Sequence, residues 1–254
     1  MSYTGSHKFY DKVARKFGDY GSSGASYTTK YQTENPEEVF KKLLLKYSEK
    51  DKSVLDLGCA DGRFTVAIAP YFKNVVAIDL SKGMLKAAKL LQKEKRARNI
   101  NFEEINTFDT PFLNNSFNII YSRRGPTPFN EISRLLKKEG YFIDIGIGEK
   151  DCQEIKEVFG RGQDYGKWIE STLKSYKKEL QSFGLNVILG EDYFATEYYP
   201  DYRNLDLFLQ GVPIFTDYNS EKDRSLLEGY ISTHQTPEGI ILSRHRIVIV
   251  ARKQ

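Results

Sequence analysis

Val54-Leu55-Asp56-Leu57-Gly58-Cys59-Ala60-Asp61-Gly62-Arg63-Phe64 decides how the rest of the chain is read. An apolar run stops at Gly58, a second glycine follows at Gly62, and a helical pattern starts at Arg63. Strand, glycine turn and helix in that order open a doubly wound α/β sheet. Glycines there admit unusual backbone angles and bring amide groups close to a ligand. Any nucleotide-binding sheet can use this device, so spacing has to discriminate. The dinucleotide fingerprint wants glycine at the first, third and sixth positions from Gly58, where this chain has Gly58, Ala60 and Arg63, so the fingerprint's third glycine is missing.

Beyond Gly62 comes Val75-Val76-Ala77-Ile78-Asp79, a second apolar run ending in an acid. A carboxylate at that strand end can accept hydrogen bonds from both hydroxyls of a ribose; taken alone, Asp79 would read as a helix cap or loop acid. Met84 is placed to lie against an adenine face, though by itself it would read as core.

Outward from this unit the pattern alternates. A helix from Asn35-Pro36 to about Tyr47 precedes the strand 53–57, with Asn35 as cap and Pro36 at the first helical position. Helices are expected at 63–72, 82–98 and 130–138, and strands at 74–78, 100–105, 117–121 and 141–147. Strands and helices alternating at these lengths call for a mostly parallel sheet covered on both faces. Before this core, Phe9, Val13, Ala14 and Phe17 trace a short helix, followed by a Gly/Ser loop from Gly18 to Tyr27. After it come one or two helices within 151–183, a strand 185–196, helices near 202–210 and 221–232, and a final strand 240–251. The last two strands can pair antiparallel at one sheet edge, which places the excursion between them above the carboxyl ends of the parallel strands. The expected fold is α/β and doubly wound: a mostly parallel seven-stranded sheet with an antiparallel edge strand, within one domain spanning 1–254. Residues 1–35 would form a lid, 36–150 a cofactor-binding core, and 151–254 a C-terminal part with an insertion at about 193–235 over the substrate site.

These motifs resemble, as a set, the class I S-adenosylmethionine-dependent methyltransferases, in particular the broad group that includes the ubiquinone-biosynthesis C-methyltransferases. The similarity covers about Phe9 to Gly148. Leu55 to Gly62 stands at the family's glycine-rich motif, with Ala60 where glycine is commoner. Ile78-Asp79-Leu80-Ser81-Lys82-Gly83-Met84-Leu85 matches the ribose motif, and Asn106-Thr107 with Pro111 to Asn118 resembles the adenine-contacting segment and the following strand. The resemblance implies a Rossmann-like sheet, S-adenosyl-L-methionine as cofactor, and contacts from Asp56, Gly58, Ala60, Gly62, Asp79, Leu80, Met84, Asn106, Thr107 and Ser122. The family usually has Asp where this chain has Asn106 and Asn118; the Asn106 carbonyl can still accept from an adenine amino group. Lys138-Glu139-Gly140 stands where Pro-Gly-Gly is common. In the family the N-terminal helix often closes the site, which makes Tyr10, Phe17, Tyr20 and Tyr27 candidates for a water-excluding lid.

Arg123 and Arg124 follow the strand 117–121. A guanidinium there can hold an acidic substrate bidentately; pairing with nearby acids is the structural alternative. Methyl transfer from a sulfonium needs mainly an aligned nucleophile, so Arg123, Arg124 and Tyr20 are expected to position substrate, and a base is needed only where the acceptor loses a proton. His7, His234 and His245 fall in no motif.

Composition narrows the classes. Two cysteines in 254 residues, Cys59 and Cys152, support neither a disulfide framework nor a zinc site, so no metal is expected. No apolar run is long enough to span a membrane and no secretory leader is present, so the chain reads as cytoplasmic. A net charge of +4 gives no strong sign of a nucleic-acid partner, and the basic run 86–98 reads as a solvated helix face because no aromatics interleave it. The expected function is methyl transfer to a small-molecule acceptor. RNA-base methylation, an NAD-dependent oxidoreductase and a non-catalytic S-adenosylmethionine-binding protein are the alternatives. The acceptor atom and the oligomeric state are not legible.

Overall fold

The computed structural model describes residues 6–20 and 24–254. The parts of the expected lid at 1–5 and 21–23 lie outside the described residues. In chain order the elements are α1 (Ser6–Phe17), β1 (Thr28–Tyr31), α2 (Pro36–Lys46), β2 (Ser53–Leu57), α3 (Arg63–Ile68), β3 (Asn74–Asp79), α4 (Lys82–Lys95), β4 (Ile100–Glu104), β5 (Phe117–Arg123), α5 (Phe129–Leu135) and β6 (Leu136–Ile147). They continue with α6 (Gln153–Phe159), α7 (Thr172–Ser182), β7 (Leu185–Tyr199), α8 (Tyr202–Gly211), α9 (Arg224–His234), β8 (Gln235–Thr236) and β9 (Gly239–Lys253).

Local chemistry accounts for the boundaries. Asn35 caps α2 by accepting from the Glu37 amide at 3.0 Å, with Pro36 opening the helix and Lys46 in its last turn. Ser81 caps α4 in the same way, accepting from the Met84 amide at 3.2 Å. Pro70 ends the regular part of α3, and a short 3-10 turn at Ala69–Tyr71 completes the expected helix.

One sheet holds all nine strands in the order β1-β7-β9-β6-β5-β2-β3-β4, with β8 pairing β9. Strands β2 to β6 run parallel, while β9 is antiparallel to both β6 and β7, and β1 is antiparallel to β7. The mostly parallel doubly wound sheet is as expected, but it has nine strands and not seven. The two extra ones, β1 and β8, are short and sit on the sheet margin, where backbone pairing needs no apolar signature. A second correction concerns α5, which stops at Leu135. Glu139 at φ 64° and Gly140 let residues 136–140 turn into the ladder against β5, so β6 starts five residues earlier than the apolar run indicates.

Both faces of the sheet are covered. Phe40 and Leu44 of α2, Ile68 of α3 and Leu85 and Ala88 of α4 pack on Val54, Val75, Ile143 and Val248. Ile132 and Leu135 of α5 and Leu173 and Leu180 of α7 close the other face over Leu55, Ile120 and Ile249. A separate core joins α6, α8 and α9 around Phe159, Leu209, Leu227 and Tyr230. The β7–β9 register explains where it stands. Arg246 pairs with both Ile147, the last residue of β6, and Tyr193, so β7 runs six residues past the carboxyl edge before the excursion 200–238 begins. The excursion therefore rises beyond that edge.

Candidate functional site

The chain passes from β2 outward to β3 and β4 and then returns to place β5 on the other side of β2, so the winding reverses between β2 and β5. Sheets of this kind open a crevice at such a point. Leu57 and Ser122 are register partners there, and the glycine turn emerges from it.

Gly58, Ala60 and Gly62 all have positive φ, at 76°, 47° and 71°. Gly62 is required twice over, since a Cβ there would lie 2.7 Å from the Phe102 ring and 2.9 Å from the Ala88 methyl. Ala60 holds a conformation that costs a non-glycine residue about 1 kcal/mol. It is fixed by donating its amide to Asp79 Oδ2 at 2.9 Å, while the Ser81 amide donates to Oδ1 at 2.8 Å. Burial pushes the Asp79 carboxyl above its ordinary value, opposed by the amide bonds of Ser81, Ala60 and Leu80. Asp79 is partly exposed, and each of its oxygens keeps an acceptor position for a hydroxyl.

Asp56 lies beneath the turn. The hydroxyls of Thr65 and Tyr121 both donate to its Oδ2 at 2.6 Å, and burial raises its pKa to about 6 against those two bonds. Asp61 accepts from the Tyr20 amide at 3.1 Å, which ties the segment after α1 to the turn. The Tyr20 ring packs edge-on against Tyr10, 5.6 Å away. Met84 is fully buried under Phe9 and Val13 of α1, so it is packed as core in this conformation. Leu80 is exposed, Thr107 is buried, and the exposed Asn106 accepts from the Phe108 amide at 3.0 Å in a local turn. Ser122 and Asp144 face each other across the β5–β6 ladder, fully buried, without hydrogen-bonding geometry; burial drives the Asp144 carboxyl well upward.

Arg123 and Arg124 converge on Glu37 at the start of α2. Arg123 Nε donates to Oε2 at 2.8 Å and its guanidinium lies 5.3 Å from the Phe64 ring centroid. Arg124 Nη1 stands 3.0 Å from Oε1, in a geometry that is not a hydrogen bond. Burial raises the Glu37 carboxyl, and the two arginines outweigh it, so its net shift is downward. Of the two readings of this arginine pair, the ion pair is the arrangement seen. His245 is held structurally, between Asp192, 2.9 Å from Nε2, and the Phe194 ring.

Sequence reading missed two features. Asp11 of α1 accepts from the Ser81 hydroxyl at 2.6 Å and the Gly83 amide at 3.0 Å, latching the helix onto the ribose motif. Nothing local to Asp11 announces this. Arg244 and Arg246 are largely buried side by side on one face of β9, among apolar residues such as Leu242, Val248 and Val250. Their alternation in such a strand was a visible signal. Among the described residues no group of three His, Cys, Asp or Glu side chains is arranged to hold a metal, and no helix is long and apolar enough to cross a membrane.

A family model described as a methyltransferase domain matches residues 48–184. The demethylmenaquinone methyltransferase of Lactococcus lactis is 27% identical over 202 residues, covering 74% of this chain and 76% of that protein. The uncharacterized methyltransferase YcgJ of Bacillus subtilis is 30% identical over 110 residues, 40% of this chain and 44% of YcgJ, so less than half of that relative is matched. The crystal structure of YcgJ superposes with a TM-score of 0.63 at 18% identity, over 85% of this chain and 99% of YcgJ, a likeness of fold. The family model spans more than half of the chain, and the glycine turn and strand-end acid lie within it. The chain thus belongs to the methyltransferase-domain family as a class I enzyme that uses S-adenosyl-L-methionine.

Proposed function

We propose that this enzyme methylates a small molecule bound at the carboxyl edge of the sheet, between the lid formed by α1 and the excursion 200–238. The observation that carries the reading is the β7–β9 register, which stands the excursion past the end of β6 on the side where the glycine turn opens. A cleft of about 330 Å³ remains between Phe9, Lys12 and Phe17 of α1 and Gln210 and Tyr218 of the excursion, a size suited to a small ligand. Lys16 of α1 contacts Gln210 across it. A relative named for demethylmenaquinone, a small molecule, supports the same reading.

In this reading Asp79 holds the ribose hydroxyls, and the turn from Gly58 to Gly62 lets backbone approach the rest of the cofactor. Bound S-adenosylmethionine supplies an electrophilic methyl on a positively charged sulfur. The chain's own contribution is then to orient the acceptor and exclude water, and positioning of this kind accounts for a large share of a rate enhancement. Tyr20, tied to Asp61, and α1, latched at Ser81, close the side of the site nearest the cofactor.

The test is to incubate the full chain with methyl-labelled cofactor and cell extract. Label is expected in the small-metabolite fraction. Label in RNA or protein, or tight cofactor binding with no labelled product, would replace this reading by one of its alternatives.

A further inference from the structure

Where β9 passes the end of β6 it carries charge on a face that Leu242 and Val248 make apolar on either side. Arg244 Nε donates to Asp151 Oδ1 at 3.0 Å and Nη1 to Glu197 Oε2 at 2.8 Å. Arg246 Nη1 donates to the same Asp151 oxygen at 2.6 Å and to the His245 carbonyl at 2.9 Å, and Lys156 Nζ donates to the Asp151 carbonyl at 2.7 Å. This group and the Arg123–Arg124–Glu37 group form one seam. Arg123 pairs across the ladder with Ile145, and Ile145 with Val248, which stands two residues from Arg246 on the same face of β9.

Around the seam Arg123, Arg124, Arg244, Arg246 and Lys156 meet Glu37, Asp151 and Glu197, with the buried Asp56 also near Arg123 and the exposed Glu38 further out near Tyr31. Arg124 and Arg246 each meet a carboxylate through Nη1 alone, Glu37 and Asp151, in a setting where only 28% and 9% of their side chains are exposed. Partly desolvated guanidinium N–H groups without acceptors are unfavourable, and an incoming anion satisfies them. The donors for it are present. Nε and Nη2 of Arg124 and Arg246 have no protein acceptor among the described residues, and none of these nitrogens is sealed from solvent. Tyr27, packed on Tyr199 and Phe208, belongs to an aromatic wall beside Arg244, whose guanidinium lies 5.2 Å from the Phe208 ring centroid. The seam also abuts the cofactor turn: a Cβ on Gly125, the neighbour of Arg124, would lie 2.7 Å from the Leu57 carbonyl oxygen.

We propose that this seam binds an oxyanion, carboxylate or phosphate, carried by the methyl acceptor, with Arg124 and Arg246 as the recognising groups. The inference rests on the small-molecule acceptor reading above. The oxyanion is the handle and not the methylated atom, because its lone pairs are committed to guanidinium N–H groups. Another atom of the acceptor forms the bond to the methyl carbon, the carbon–sulfur bond breaks with its electrons going to sulfur, and any proton on the acceptor atom leaves to solvent.

The experiment extends the labelling reaction, using the full chain and a small-molecule extract. Labelled product is separated on anion-exchange resin at neutral pH, with and without prior alkaline phosphatase. The product is expected to be retained; release by phosphatase identifies a phosphate, and resistance a carboxylate. Arg124→Gln and Arg246→Gln are expected to raise KM for the retained fraction about 10- to 100-fold while S-adenosylhomocysteine affinity changes less than about twofold, the loss of a charged hydrogen bond at one site only. Arg246→Gln also strips a partner from Asp151, so Arg124→Gln, which leaves the Asp151 bonds in place and Arg123 on Glu37, is the deciding variant. A labelled small product that passes the resin, or a retained product whose KM Arg124→Gln leaves unmoved, overturns the inference and leaves the acceptor reading standing. Label in RNA or protein, or no label, removes both.

Discussion

Asp79 holds the glycine turn, and in the proposed reading it holds the ribose of the cofactor as well. Its bonds to the Ala60 and Ser81 amides stabilise a strained alanine and the start of α4, and the residue stays partly exposed. Asp79→Ala is therefore expected to weaken S-adenosylmethionine binding by about 1.5 to 3 kcal/mol, the usual worth of hydrogen bonds to a charged group. Asp109→Ala, on an exposed loop, is expected to leave it unchanged in the same calorimetric titration. Equal losses in the two variants would mean that Asp79 is not the ribose acid. Asp79 was legible because a strand end five residues before Met84 is a position that sequence specifies. The partners of Asp56 were not, because Thr65 and Tyr121 approach it from different elements.

At the scale of elements, α1 is held by few but directed contacts. Phe9 and Val13 bury Met84, while Asp11 supplies an acceptor to the first turn of α4 from outside that helix. Gly83 permits the approach, since a Cβ there would lie 2.8 Å from the Ala14 methyl. Asp11→Ala and Gly83→Val are both expected to speed amide hydrogen exchange across Phe9–Phe17, because helix edges held by a small buried area open first, and to leave the interior of α4 protected. Unchanged exchange in α1 with either variant would show that the latch does not hold the helix. The periodicity of Phe9, Val13, Ala14 and Phe17 was enough to predict α1, but not where it docks. Likewise the boundary of α5 was misjudged at Leu136 because a left-handed residue, Glu139, and not a proline or an apolar break, turns the chain into β6.

At the scale of the molecule, Asp151 joins parts that are distant in sequence: its carboxylate receives Arg244 and Arg246 of β9, and its carbonyl receives Lys156 of α6. Burial raises the Asp151 carboxyl, and the three cations more than reverse this, holding it well below the usual carboxylate range. A depressed carboxylate contributes stability that is present above its unfolded pKa, about 3.9, and is lost as the pH falls towards its folded value. Asp151→Asn is therefore expected to cost about 3 to 5 kcal/mol at neutral pH by stranding buried arginines. In urea unfolding the gap to wild type should narrow below about pH 4, where the native protein loses the same contribution; a gap constant with pH would rule out the ion pairs as its source. The sequence by itself determined the doubly wound sheet, the glycine turn, the strand-end acid and the methyltransferase family, because apolar periodicity, glycine spacing and caps act between residues near one another in the chain. Only the tertiary structure decided the nine-strand order, the docking of α1, the partner of Arg123 and Arg124, and the cationic seam. Those depend on strand register and on which long side chains meet across elements, and the energies that select them arise only when residues such as Glu37, Asp151 and Arg246 are brought together and shielded from water.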